Sequence, residues 1–165
     1  MLGLRSPSYK GLRPASKMTS RIASASSGKR DTKPELLLRR AVRSAGLRYR
    51  IDVASLPGRP DLVFFAARLA VFCDGDFWHG RNLERRVLKL AAGHNAPYWV
   101  TKIRSNVDRD RRINRLLRDS GWNILRVWES DVVANPRKVV NAVLRKIQAQ
   151  QKIATQKRPS SRTPR

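Results

Sequence analysis

The chain has 165 residues, about the length of one domain, and its hydrophobic content of 41% is typical of a folded globular protein. Its single cysteine excludes an internal disulfide framework and a zinc site made of several thiolates. It has no apolar run long enough to span a bilayer and no secretory signal, so we expect a cytoplasmic protein without a membrane partner. Thirty-six Lys and Arg against twelve Asp and Glu give a net charge of +24, which makes nucleic acid the first candidate partner.

The positive charge is concentrated at the two ends. Residues 1–30 have seven basic groups and residues 146–165 have six, and neither segment has an acid. Segments of this kind, rich in Ser, Pro and Ala, bury too little apolar surface to offset their ordering entropy. We therefore predict a basic, partly flexible arm over residues 1–30, a folded domain over 31–148 and a basic disordered tail over 149–165. The two ends either contact the polyanion or only solubilise the chain.

The folded domain is predicted to alternate helices and strands. A first helix is capped by Asp31 or Thr32, with Glu35 completing a capping box, and it ends at Gly46. The later elements, in chain order, are strands at 47–53, 61–65 and 68–76, an ambiguous stretch at 81–95, a basic helix at 97–121, a strand at 122–129 and an amphipathic helix at 136–150. This order predicts an α/β domain with a central mixed β-sheet flanked by helices.

Acidic side chains flank the predicted hairpin of strands 61–65 and 68–76. Asp61 opens the first strand, whereas Asp74 and Asp76 close the second. If the strands pair about a tight turn at Ala66-Ala67, Asp61 lies across from Cys73 or Asp74. Carboxylate oxygens at the adjoining strand ends would suit Mg²⁺, which could polarise a phosphodiester.

A histidine follows the second strand and could act as a base on water. His79 lies three residues after Asp76, and an imidazole titrates near neutral pH. Such a base needs an acceptor on its other nitrogen, which Asp108 or Asp110 could provide. Taken singly, Asp61 is better explained as a turn or cap residue and His79 as a packed edge residue. Taken together with Glu35, Asp74 and Asp76, in a chain of this charge, they favour a metal-dependent nuclease.

Aromatic and basic side chains lie close to these residues in the sequence. Phe77 and Trp78 precede the histidine directly, and Trp99 begins the basic helix, so these rings could wedge into a base stack or pack in the core. The arginines of the basic helix either contact phosphates or form a solvated face. The candidate DNA contacts are Arg59, Arg109, Arg111 and Arg112.

Three segments in order resemble the very short patch repair endonucleases: RDTKPELLLRRAVRSAGLRYRIDVASLPGRPDLVF, AVFCDGDFWHG and YWVTKIRSNVDRDRRINRLLRDSGWNILRVWES. The resemblance covers residues 20–148 and implies a restriction-endonuclease-like core. It also implies Mg²⁺-dependent nicking of one strand of double-stranded DNA at a T·G mismatch.

The resemblance assigns roles to individual residues. It implies that Asp61 and the main-chain carbonyl of Cys73 bind the metal, that His79 is the catalytic histidine oriented by Asp110, and that Glu35 lies near the active site. It implies mismatch-wedging roles for Phe77, Trp78 and Trp99.

The chain departs from the family at two places. Where familiar members bind a structural zinc, this chain has Asp76 and Ser130, so no zinc is expected. Asp74 stands where some members have a second histidine, and it could add a carboxylate to the metal site, as could Asp76. We therefore expect Mg²⁺, which Mn²⁺ could replace, as the cofactor.

The leading hypothesis is a monomeric mismatch-nicking DNA endonuclease, with mismatch-repair proteins as candidate partners. The alternatives are a restriction or mobile-element endonuclease with another target, and a basic DNA-binding protein without catalysis.

Overall fold

The computed structural model describes residues 30–91 and 96–156. The helices of these ranges are α1 (Lys33–Ser44), α2 (Leu83–Ala91), α3 (Ala96–Asp119), α4 (Glu129–Ala134) and α5 (Pro136–Gln156), and the strands are β1 (Leu62–Phe64), β2 (Leu69–Asp74) and β3 (Asn123–Trp128). Nearly all of the predicted basic arm, residues 1–29, lies outside the described residues, as do residues 157–165 of the predicted tail. In the described ranges no helix is at once long and apolar enough to cross a membrane.

The three strands form one mixed sheet with β2 in the centre. β1 pairs antiparallel with β2, with Leu62 opposite Val71, whereas β3 pairs parallel with β2, with Leu69 opposite Asn123. A parallel neighbour requires a crossover connection, and α2 and α3 supply it between β2 and β3. The predicted mixed sheet flanked by helices, consistent with a restriction-endonuclease-like core, is confirmed.

Both faces of β2 are buried, which explains the unbroken apolar run in its sequence. Leu69 and Val71 face α1, α4 and α5, whereas Ala70 and Phe72 face α3. The first core consists of Leu38, Val42, Leu62, Phe64, Ala67, Leu69, Val71, Val127, Val132, Val139, Val140 and Val143, and the second of Leu56, Val63, Ala70, Phe72, Leu117 and Trp122. The two cores fix β2 between the helix layers, so its C-terminal end has a defined position.

Helix α1 begins as the sequence predicts. Thr32 is the N-cap and its Oγ1 accepts from the Glu35 N–H at 3.4 Å, while Glu35 Oε2 accepts from the Asp31 N–H at 2.9 Å. Leu38 and Val42, which are one turn apart, are fully buried against the sheet. The capping box therefore places Glu35 on the first turn of a helix packed on the sheet.

The structure differs from the sequence-based prediction in one strand, one short helix and one helix end. Residues 47–53 are not a strand, since only Arg50 bridges to Val63 and Asp52 takes a φ of 59°, which extended backbone does not allow. The short helix α4 was not predicted. Helix α5 continues to Gln156, so residues 149–156 of the predicted disordered tail are helical.

The turn before β1 packs tightly on the second core. Gly58 has a φ of 75°, and a Cβ there would lie 2.7 Å from Ile113 Cγ2 and 3.3 Å from Phe72 Cε1. Pro60 follows and is fully buried. Glycine is required at this position both for its backbone conformation and for the close approach to α3.

We expect Gly58→Ala to lower the free energy of unfolding by about 1–3 kcal/mol more than Gly46→Ala, because overpacking adds to the left-handed backbone cost. Gly46 is a matched control, since its φ is also 75° but a Cβ there would meet no atom within 4 Å. Urea unfolding of both variants measures the difference. Equal losses would show that the turn relaxes away from α3.

Candidate active site

Asp61 lies where the start of β1 meets the end of β2. Its main-chain N–H donates to the Val71 carbonyl at 2.9 Å, and its Oδ2 accepts from the Cys73 N–H at 2.7 Å. The strand register places Asp61 opposite Phe72, one residue from Cys73 and two residues from Asp74, the predicted partners. The predicted meeting of these two strand ends is nevertheless present.

The surroundings of Asp61 disfavour its negative charge. Burial raises its pKa to about 6; the Cys73 N–H opposes this rise, the charges of Glu35 and Asp74 add to it, and Arg39 also opposes it. Glu35 comes from α1 on one face of the sheet and Asp74 from the other side of β2, so three acids act on one small region. A cation bound there would relieve this repulsion.

The residues near Asp61 fit a metal held partly by the main chain and water. Within residues 30–91 and 96–156, no group of three or more His, Cys, Asp or Glu side chains could hold a metal ion. Burial raises the pKa of the Cys73 thiol, so sulfur stays protonated and is a poor ligand at neutral pH. The hard oxygens available are therefore the Asp61 carboxylate and neighbouring carbonyls, a set that suits Mg²⁺.

Asp74 and Asp76, the two further acids considered as metal ligands, are occupied by arginines. Both oxygens of Asp74 accept from Arg126 Nη1 at 2.8 Å. Asp76 accepts from Arg81 Nη1 at 2.9 Å and from the Ser130 N–H and Oγ at 3.1 and 2.9 Å. The structure thus places both carboxylates in ion pairs, with no oxygen left unpartnered for a cation.

His79 is paired with Asp110. Its Nδ1 lies 2.6 Å from Asp110 Oδ2, and Asp110 is only 8% exposed. Burial raises the pKa of Asp110, but the hydrogen bond and charge of His79, with Arg126 and Arg109, outweigh it and leave the pKa below its ordinary value. An ionised carboxylate only accepts, so the Nδ1 proton is held and Nε2 is the basic nitrogen of the neutral ring. Asp108 instead pairs with Arg111 at 3.4 Å, so of the two predicted acids Asp110 is the one that contacts His79.

The loop that carries His79 is held close to α3. The His79 N–H donates to the Gly75 carbonyl at 3.1 Å, and Asn106 Nδ2 donates to the Trp78 carbonyl at 3.2 Å. Gly80 has a φ of 77°, and a Cβ there would lie 2.7 Å from Val107 Cγ2. This close approach lets the imidazole reach an acid on the helix.

The same loop is fastened to the start of α4 by charged side chains. Besides Asp76, Arg81 donates to Ser130 Oγ and, through Nη2, to Asp131 Oδ1 at 2.9 Å. The Arg81 guanidinium also lies 5.7 Å from the centre of the Trp128 ring. We call Asp76, Arg81, Ser130 and Asp131 the Arg81 network. Two of its members, Asp76 and Ser130, stand where the resemblance places zinc ligands in other proteins.

Three half-buried aromatic rings form a cluster beside the site. Ring centres are 4.8 Å apart for Phe77 and Trp78 and 5.9 Å apart for Trp78 and Trp99, and none of the three belongs to either core. Lys102 Nζ lies 5.3 Å from the Trp78 ring centre and 5.7 Å from that of Trp99. We call Phe77, Trp78 and Trp99 the aromatic cluster.

The predicted DNA-contacting arginines are all exposed. Arg59 lies on the turn before Asp61, and Arg109, Arg111 and Arg112 lie on α3. Arg109 Nη2 is 3.9 Å from Asp110 Oδ1, so the exposed arginines of α3 begin next to the acid that holds His79.

Sequence reasoning missed Arg126 and Lys102. Arg126 was taken as an ordinary residue of the strand at 122–129. An arginine inside an apolar strand is itself a signal, because its buried charge requires an acid nearby. Lys102 gave no comparable signal, since its contacts with Trp78 and Trp99 depend on the helix and the loop coming together.

Asp61→Asn is expected to stabilise the folded chain above pH 6. The folded pKa of about 6 exceeds the ordinary 3.8, so ionisation of Asp61 lowers the free energy of unfolding as pH rises through this range. The variant should therefore gain up to about 2–3 kcal/mol at pH 8 and little at pH 4. Urea unfolding at both pH values measures this, with the exposed Asp119→Asn as control. A loss of stability at pH 8 would contradict the burial argument.

The family model and the relatives that match this chain all indicate one protein family. A family model described as DNA mismatch endonuclease Vsr matches residues 15–85. The type II nicking enzyme V.HpaIIP of Haemophilus parainfluenzae is 43% identical over 114 residues, which cover 69% of this chain and 79% of that one. V.NmeDIP of Neisseria meningitidis serogroup C, also a type II nicking enzyme, is 43% identical over 104 residues, covering 63% and 69%.

A relative named for mismatch cleavage is also found. The DNA mismatch endonuclease Vsr of Escherichia coli K12 is 41% identical over 100 residues, which cover 61% of this chain and 62% of that one. These alignments agree with the family model, and the alignment with V.HpaIIP covers 79% of that relative. On this evidence the chain belongs to the Vsr family and is a DNA endonuclease.

Proposed function

We propose that this protein nicks one strand of duplex DNA at a T·G mismatch, with Mg²⁺ as its cofactor, in very short patch repair. The observation that carries the proposal is the 2.6 Å pair of His79 and Asp110 at the same end of the central strand as the partly buried Asp61 carboxylate. Relatives named as nicking enzymes and as a mismatch endonuclease support it.

The base in this mechanism is His79. With its proton held on Nδ1 by Asp110, the ring accepts a proton from water at Nε2, and Asp110 then stabilises the imidazolium that forms. The lowered pKa of Asp110 keeps this acid ionised throughout. The ring therefore needs no rearrangement at the moment of proton transfer.

Asp61 and the Cys73 main-chain carbonyl are the groups that would hold Mg²⁺, or Mn²⁺ in its place. When bound, the ion supplies positive charge that stabilises the phosphate oxygens as charge develops on them. Asp61 contributes a carboxylate whose ionised form is destabilised without a cation. The negative charge of Glu35, on α1, further destabilises the ionised form of Asp61. Glu35 is itself paired with Arg39, whose Nη2 lies 3.5 Å from Glu35 Oε2.

DNA recognition would use the aromatic cluster and the exposed arginines. The cluster has half-buried rings with a cation, Lys102, over two of them, which suits insertion beside a mismatched pair. Arg59 on the turn and the arginines of α3 would contact phosphates on either side of the site. We propose that the protein acts as a monomer, with mismatch-repair proteins as candidate partners.

Asp110→Asn should slow nicking by about 10²–10⁴-fold, because an amide can donate to the imidazole and no longer fixes its proton on Nδ1. Asp108→Asn is the matched control, since it changes a carboxylate on the same helix that pairs with Arg111 instead. Single-turnover nicking and DNA affinity are measured for both, and the control is expected within about twofold of the parent. Equal losses in the two variants would remove Asp110 from the mechanism.

The target and the metal are tested in one assay. Duplexes with a T·G mismatch, with full pairing and with a branch are incubated with the protein, with and without Mg²⁺, and the cut position is mapped. We expect a single nick beside the mismatched thymine, dependent on Mg²⁺ and absent in Asp61→Ala. Cutting of the paired or branched duplex at the same rate would instead assign another target, and cutting without metal would remove Mg²⁺ from the mechanism.

A further inference from the structure

Arg126 contacts both of the acids that lie close to His79, Asp74 and Asp110. It lies on β3 opposite Phe72, and its guanidinium carbon is 4.5 Å from the centre of that ring. Nη1 binds both oxygens of Asp74 at 2.8 Å, Nη2 lies 3.4 Å from Asp110 Oδ1, and Nε donates to Asn114 Oδ1 at 3.1 Å. Nη1 and Nε thus donate hydrogen bonds, Nη2 forms an ion pair, and two of the three partners are buried acids.

Those two acids face the same atom of the histidine. Nδ1 of His79 is 2.6 Å from Asp110 Oδ2 and 3.5 Å from Asp74 Oδ1. A ring between two equivalent carboxylates would have two competing acceptors for a single proton, and two orientations. The asymmetry of the two distances therefore needs a cause.

We propose that Arg126 is a positioning residue that withdraws Asp74 from His79 and so leaves Asp110 as the sole acceptor for the Nδ1 proton. Both oxygens of Asp74 are directed to one guanidinium nitrogen, whereas Asp110 gives only one oxygen to Arg126, at the longer distance, and keeps the other for the imidazole. The acid on the helix is thereby selected over the acid on the strand. The inference rests on the proposed role of His79 as the base.

The charges explain why removal of the arginine would matter. Asp74 and Asp110 are 5% and 8% exposed, so neither is well screened by water. Without Arg126, the Nδ1–H of His79, 3.5 Å away, would be the donor left to Asp74, and Asp74 would compete with Asp110 for the ring. Removal of Asp74 as well would leave the histidine with one acceptor again.

The experiment uses Arg126→Met, Arg126→Lys and the double variant Asp74→Asn/Arg126→Met. We expect Arg126→Met to slow single-turnover nicking of a T·G duplex by about 10- to 100-fold while DNA affinity stays within about twofold. Arg126→Lys keeps the charge but not the paired geometry and should recover part of the rate. The double variant should recover most of it. Arg145→Met, an exposed arginine on α5 across the sheet, is the control for loss of one positive charge.

A readout without cleavage separates this inference from the proposed function. The chain has two histidines, so in a His94→Gln background the ring nitrogen NMR spectrum reports His79 alone. We expect a single ring state with the proton on Nδ1 in the parent, a changed or second state in Arg126→Met, and the parent state again in the double variant. The spectrum decides the inference even if no duplex is nicked, an outcome that would defeat the proposed function only.

Two results would overturn the inference. One is an Arg126→Met protein that is folded and has the parent spectrum of His79, since Arg126 would then stabilise the fold without positioning the ring. The other is a double variant that stays as slow as Arg126→Met, since Asp74 would then not be the competitor. If Arg126→Met does not fold, Arg126→Lys replaces it in the spectrum, where an altered ring state supports the inference and an unaltered one overturns it.

Discussion

The active site depends on one hydrogen bond, from the Cys73 N–H to the Asp61 carboxylate, which joins the start of β1 to the end of β2. Because β2 is buried on both faces, the two cores hold its C-terminal end in place. Residues bonded to that end therefore have defined positions. Asp61 is attached there directly, and His79 through the loop that follows. The carboxylate and the imidazole are thus both attached to the buried central strand of the sheet.

The site contains two regions that differ in their balance of positive and negative charge. Around Asp61 the charges of Glu35 and Asp74 outweigh that of Arg39, so the region is short of positive charge. Around His79, Arg126 and Arg109 compensate the charges of Asp74 and Asp110, so the region is nearly balanced. The first arrangement favours an incoming cation and the second favours a fixed ring. Asp74 belongs to both regions, and its pairing with Arg126 is what keeps them distinct.

The residues that could be found from the sequence are those with local signals. Asp61, His79 and Asp110 are polar side chains at the edges of apolar runs or on a basic helix, and Thr32 and Glu35 follow the pattern of a capping box. Asp74 was considered as a metal ligand because it closes the strand beside Asp61. Its pairing with Arg126 could not be predicted, because the two residues are 52 positions apart and become neighbours only through β2–β3 pairing. The strand predicted at 47–53 failed at Asp52, whose positive φ has no sequence signature.

The Arg81 network has a consequence for the chemical durability of the site. The loop bearing the imidazole and the aromatic rings is secured by a guanidinium, carboxylates and a hydroxyl, none of which is oxidised under mild conditions. The only sulfhydryl in the sequence, on Cys73, is partly buried and held as the unreactive thiol. Peroxide or an alkylating agent therefore finds no thiolate whose loss would release this loop.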